Sequence, residues 1–387
     1  MYDISVFNKV SNNGLKLFNP NLYAINEENL ESADGIVLRS YKLLDAVFPE
    51  NLKAIARAGA GYNNIPVEKC SENGIVVFNT PGANANGVME LTLISLLLSS
   101  RKIYEGIKWA GDLQGEVGVQ VEKGKSMFAG PEVRNKTLGV VGLGAIGVLV
   151  ANMGIKLGMN VIGYDPYISV KGALGLSWDV KYAESLDDIL GKSDYVTLHM
   201  PLIDSTKGFV NEEFLAKLKD QSRLINISRG GLVDTDEVVK ALKSGKLAKY
   251  VTDFPDEKLL ACENAICFPH LGASTPESEE NCAVMAVEQL ANYLENGDIV
   301  NSVNFPMCTM ERTIGTTRIT IISKNISNMI GSYTSVLTKC NISIVDMINK
   351  SKGDYVYNII DVNGNVSEEC IKEIEAIEGV IKVRVIK

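Results

Sequence analysis

A chain of 387 residues is too long for one hydrophobic core and predicts two or three domains. Its 46% apolar and 22% charged residues are those of a soluble globular protein, and no apolar run approaches the roughly 18–20 residues that cross a bilayer. A net charge of −9 without any basic run argues against nucleic acid, though not against an anion site of locally positive potential.

The first ten residues, MYDISVFNKV, lack the basic start and apolar centre of a signal peptide, so the cytoplasm is the expected location. Seven scattered cysteines form no CxxC pair and have no matching histidine spacing. Reduced packing residues are expected, with no metal site and no disulfides.

Residues 1 to about 85 read as a small α/β unit, with strand-like runs at 4–7, 35–38, 52–58 and 75–79. Arg39 and Arg57 each close such a run, where open α/β sheets bind ligands. The stretch 86–100 is apolar on most sides and predicts a buried helix. Residues 101–135, polar and glycine-rich, read as a loop.

The most informative stretch is 137–166. An apolar run leads into Gly142-Leu143-Gly144-Ala145-Ile146-Gly147, then helical spacing, a second apolar run and Asp165. Gly142 permits the tight turn, Gly144 lets backbone approach a pyrophosphate, and Gly147 lets the helix lie close on the strand. The helix start offers free N–H groups and partial positive charge. Asp165 would accept hydrogen bonds from the adenosine ribose hydroxyls and repel a 2′-phosphate, so the expected cofactor is NAD.

Strands at 195–200, 223–227, 250–254 and 265–268 alternate with helices begun at Ser185, Asn211 and Asp234, which means a doubly wound parallel (Rossmann) sheet. His199 and His270, the only histidines, both follow strand-type runs. His270, before a glycine and a helix start, is placed for proton transfer, whereas His199 reads as a packing residue. Arg229 follows another strand and could bind a carboxylate bidentately. Glu257 follows the next, where it would pair with His270. A helix over 274–297 and a linker precede residues 317–387, whose βαββαβ order predicts a ferredoxin-like module.

The GLGAIG turn with Asp165, LHMPLIDSTKG, INISRGGLVD, FPHLGAST, ARAGAGYNNI and VVFNTPGANANGVMEL together resemble the D-isomer-specific 2-hydroxyacid dehydrogenases over nearly the whole chain. The last module resembles an ACT domain. The resemblance implies a flavodoxin-like substrate domain (1–86 and 272–300), an NAD-binding domain (87–271), a linker (301–316) and an ACT domain (317–387).

It also implies roles. Arg229 would hold the substrate carboxylate, with His270 as acid/base and Glu257 orienting it. Arg39, Ser40, Arg57, Asn84 and Asn86 would meet the substrate, and two arginines suit a phosphate, as in 3-phosphoglycerate. Ala145 and Ile146 would face the pyrophosphate, and Ile227, Ser228 and Arg229 the nicotinamide. Thr252-Asp253-Phe254-Pro255-Asp256-Glu257 departs from the family's Asp-Val-Phe run, so either Asp253 or Thr252 contacts the nicotinamide, and Asp256 neighbours the glutamate. Asn325 and Asn341 match positions that bind a serine effector, although Ser327-Asn328 replaces the usual Pro-Gly. A homodimer or homotetramer is expected. Glyoxylate or hydroxypyruvate reduction and non-catalytic NAD(H) sensing are the alternatives.

Overall fold

The early apolar runs pair as a five-stranded parallel sheet of β1 (Tyr2–Phe7), β2 (Tyr23–Glu27), β3 (Gly35–Leu38), β4 (Ala54–Arg57) and β5 (Val76–Phe78), ordered β2-β1-β3-β4-β5. In this computed structural model, which describes residues 1–386, β3 and β5 are buried along their whole length, as a parallel sheet covered on both faces requires. The edge strand β2 is buried only at Tyr23.

Two compact units divide the chain: Met1–Ala83 with everything from Glu279 onward, and Asn84–Ser278. The C-terminal module falls within the first of these units.

In the second unit, the helix Ala85–Ser100 leads into residues 101–135, which are not a loop. They form the helices Ile103–Gly111 and Val117–Gly124 and a short turn in which Phe128 packs on Trp109, ring centroids 5.2 Å apart. Four of the six glycines that suggested a loop sit within or at the ends of those helices, and Gly115 and Gly130 lie outside them.

The strands β6 (Thr137–Val141), β7 (Asn160–Tyr164), β8 (Lys181–Tyr182), β9 (Tyr195–Leu198), β10 (Ser222–Asn226), β11 (Leu247–Thr252) and β12 (Ala265–Cys267) pair in parallel, ordered β12-β11-β10-β9-β6-β7-β8. The order reverses between β6 and β9, the topological switch point where such sheets bind ligands. The helix signals act as expected. Asn211 Oδ1 accepts the Phe214 N–H at 3.0 Å, and Gly245 ends its helix in the left-handed region at φ 77°.

The C-terminal strands β13 (Thr316–Lys324), β14 (Ile344–Lys352), β15 (Tyr355–Asn363) and β16 (Val380–Ile386) form an antiparallel sheet ordered β14-β15-β13-β16, the ferredoxin-like arrangement. Helices Met329–Lys339 and Glu368–Glu375 cover one face through Tyr333, Leu337 and Ile374. On the other face Ile322, Tyr357 and Ile359 join one core with Phe78, Tyr293 and Phe305.

That junction is also polar. Arg318, fully buried, binds Asp361 bidentately at 2.7 and 2.9 Å and donates to the Asn296 carbonyl at 3.0 Å. Arg384 donates to Leu294 O at 2.9 Å and the Tyr357 hydroxyl to Gly297 O at 2.6 Å. Two guanidinium groups thus satisfy the carbonyls at the C-terminal end of the long helix Pro276–Asn296, where positive charge suits the helix dipole. Removing one partner of a buried pair typically costs about 3–5 kcal/mol, so this junction is strongly specified. The stretch expected as a linker is pinned: Asn304 Oδ1 accepts the Val77 N–H at 2.9 Å, and Cys308 bridges Ile299. Among the described residues no helix is long and apolar enough to cross a membrane.

Candidate active site

The glycine-rich turn joins β6 to the helix Ala145–Lys156. A Cβ on Gly147 would lie 1.9 Å from the Gly142 carbonyl oxygen, so only glycine permits the helix to start this close to the strand. Gly144 is the opposite case: a Cβ there meets no protein atom within 4 Å, leaving its face open to a ligand. No side chain caps this helix, and its first internal bond is the Val148 N–H to Gly144 O, so the N–H groups of Ala145, Ile146 and Gly147 remain available for an anion.

Asp165 follows β7 and accepts two backbone N–H groups, from Leu143 and Tyr167, each at 2.8 Å. These bonds tie the acid to the turn it serves, with lone pairs left for ribose hydroxyls. The residues present fit the adenosine half of NAD(H). Asp165→Asn keeps the shape but removes the charge. It is expected to weaken NADH binding about 10- to 100-fold and NADPH binding less, as measured by fluorescence titration.

The loop after β10 is built by Asn226, fully buried, whose Nδ2 donates to Arg229 O at 2.9 Å and whose Oδ1 accepts the Ser228 N–H at 3.1 Å. Ser228 Oγ donates to Leu198 O at 2.6 Å, fastening the loop to β9. Arg229 is half-buried and donates to the Ser228 carbonyl at 2.7 Å. Asn226 is a positioning residue that sequence reasoning passed over, although it stands inside the INISRGG motif; a buried asparagine ending a strand was the available signal.

Phe254 joins two parts of this unit. Its ring packs on His270 with centroids 4.8 Å apart, and a Cβ on Gly230, beside Arg229, would lie 3.1 Å from the Phe254 Cβ. His270 is solvent-exposed and makes no hydrogen bond among the described residues. His199 is different: Thr197 Oγ1 lies 2.9 Å from its Nε2, its Nδ1 is buried without a partner, and burial pushes its pKa down to about 3. A ring held neutral in this way packs behind the glycine turn, as the sequence suggested.

Glu257 and His270 are not in contact in this structure. Glu257 is the first residue of the short helix Glu257–Leu260, its side chain is exposed, and it forms neither a hydrogen bond nor an ion pair with His270. Asp256 begins that helix, accepting the Leu259 N–H and the Thr235 hydroxyl, both at 2.9 Å, which fixes Glu257 on the outer turn.

Asp253 lies within electrostatic reach of His270. It is 1% exposed, and both carboxylate oxygens lack an internal hydrogen-bond partner. Burial raises its pKa, opposed by the charges of His270 and Arg229 and by the Gly272 amide, which approaches the carboxylate without completing a hydrogen bond. A buried acceptor left open in this way fits the carboxamide of a nicotinamide ring. Thr252 is already committed through its hydroxyl to the Phe254 N–H at 3.1 Å.

The remaining expected residues are dispersed. Asn84 precedes the helix Ala85–Ser100 without capping it by its side chain, and Asn86 donates to Glu90 at 2.9 Å. Arg39, exposed Ser40 and Arg57 belong to the first unit. Asn325 and Asn341 lie at opposite ends of the helix Met329–Lys339, about 16 Å long, so one chain does not bring them together. Asn328 takes the left-handed conformation, φ 64°, which asparagine tolerates better than most residues.

The profile of the D-isomer specific 2-hydroxyacid dehydrogenase NAD-binding domain matches residues 93–272. A D-3-phosphoglycerate dehydrogenase of Methanocaldococcus jannaschii is 36% identical over 74% of this chain, which spans about half that relative's length (54%). A protein of the same name from Haemophilus influenzae is 31% identical over 93% of this chain and 88% of its own. The NAD+-bound 3-phosphoglycerate dehydrogenase of Entamoeba histolytica superposes with a TM-score of 0.61 at 27% identity, covering 78% of this chain and 98% of its own. With the nucleotide turn, Asp165 and the strand-end loops in place, the chain belongs to the D-isomer specific 2-hydroxyacid dehydrogenase family.

Proposed function

We propose that the chain is an NAD-dependent dehydrogenase oxidising 3-phospho-D-glycerate to 3-phosphohydroxypyruvate, the entry step to L-serine. The observation that carries the substrate assignment is the pair of arginines closing neighbouring strands, Arg39 after β3 and Arg57 on β4, in an acidic protein whose relatives bear this activity in their names. Two guanidinium groups side by side suit a phosphate dianion better than a bare hydroxy acid.

Arg229 binds the substrate carboxylate, and His270 takes the C2 hydroxyl proton as the hydride leaves. Bound NAD+ supplies the hydride acceptor. Asp253 would accept from the nicotinamide carboxamide and places negative charge within reach of His270.

Exposed Ile94, Leu97, Ile103, Tyr104, Ile107 and Val119 on three successive helices support a homodimer formed through that face. Seven free cysteines support a reducing, cytoplasmic setting. A serine effector remains a proposal that needs a second chain to complete its site.

Arg57→Gln tests the substrate reading. KM for 3-phosphoglycerate should rise about 10- to 100-fold with the NADH dissociation constant within twofold of wild type. An unchanged KM would remove the phosphate role.

A further inference from the structure

The two strand-end arginines are held by different means. Arg57 Nε donates to the Arg39 carbonyl at 3.1 Å. Its guanidinium rests over Gly59, φ 144°, where a Cβ would come 2.0 Å from Nη1; glycine is what lets that group lie on the backbone. Arg39 instead points its Nη1 at Oε1 of Glu279, 2.6 Å away, in the first turn of the long helix Pro276–Asn296. The side chains of that pair are 35% and 44% exposed. The buried thiol of Cys282, one turn further along, lies within electrostatic reach of Arg57, Arg39 and Glu279 alike, so the three charges share one small region.

An exposed pair of this kind is weak and salt-screened, so an arriving phosphate can take Arg39 from it. The carboxylate does not then leave. It is carried on a helix whose opposite end is fastened by Arg318 and Arg384, and it stays beside the bound anion as a like charge. Together the three side chains carry one net positive charge; without the carboxylate they would carry two.

We infer that Glu279 is a built-in counter-ion of the anion site, occupying Arg39 when no anion is bound and holding down the affinity for phosphate dianions. This rests on the phosphate reading of Arg39 and Arg57. The consequence is specificity by restraint: free phosphate does not block the site, and a phosphorylated product leaves it.

The test uses the full chain, with inorganic phosphate as probe, by calorimetry and as a competitor of the phosphorylated acid. Glu279→Gln and Glu279→Ala should both tighten phosphate about 3- to 10-fold and lower KM by a similar factor, with the gain shrinking as salt rises. A structural role alone would weaken binding. Unchanged or weaker phosphate binding in both variants, while Arg39→Gln still loses affinity, overturns the counter-ion and leaves the phosphate site standing. If Arg39→Gln has no effect either, both readings fall.

Discussion

His270→Asn is expected to lower kcat by about 10²–10⁴-fold, the range supplied by a positioned general acid or base. NADH binding should stay within twofold of wild type, because the turn, Asp165 and Asp253 are untouched. The substitution is also mild for the fold: the side chain is exposed, its ring packs on Phe254, and no hydrogen bond is lost. Steady-state kinetics beside an NADH titration separates the two effects. Turnover within threefold of wild type would remove His270 from the chemistry.

Asp253→Asn should exchange function for stability. A buried carboxylate with neither oxygen hydrogen-bonded costs about 1–3 kcal/mol in the ligand-free protein, and an amide avoids part of that cost. Because burial raises the folded-state pKa of Asp253 above its unfolded value, the penalty is absent below the ordinary aspartate range and grows as pH rises through the folded value. The variant's thermal advantage should therefore be present at pH 7 and vanish near pH 3. Its kcat/KM should fall about 10²-fold, since the charge beside His270 and the open acceptor are both lost. Glu257→Gln, on the exposed turn, should change kcat/KM less than threefold. The reverse pattern, with Glu257→Gln crippling and Asp253→Asn mild, would return the orienting role to Glu257.

Where the sequence was legible, the determinants were local. Gly142, Gly144, Gly147 and Asp165 lie within one βαβ step, and their residue types are dictated by close approach and ribose binding. The caps at Ser185, Asn211 and Asp234 are likewise decided within three residues. The edge strand β2 and the helices within 101–135 were hidden because one has a single buried residue and the others, interrupted by glycine, bury no side chain.

How the acids after β11 divide could not be read from the sequence: Asp256 caps a helix turn and leaves Glu257 exposed, while Asp253 stays buried just past the strand. The Arg39–Glu279 pair and the Arg318–Asp361 junction were illegible because each joins residues far apart in the chain, which only the folded sheets and the long helix bring together.

The most direct test is NADH formation at 340 nm by the purified chain with NAD+ and 3-phospho-D-glycerate at alkaline pH, with the keto product trapped and D-glycerate and D-lactate run alongside. Turnover of the phosphorylated acid, with kcat/KM at least about 10²-fold above either unphosphorylated acid, is the predicted result. Equal or better turnover of D-glycerate contradicts the phosphate assignment, and no turnover of any acid by protein that still binds NADH contradicts the dehydrogenase itself.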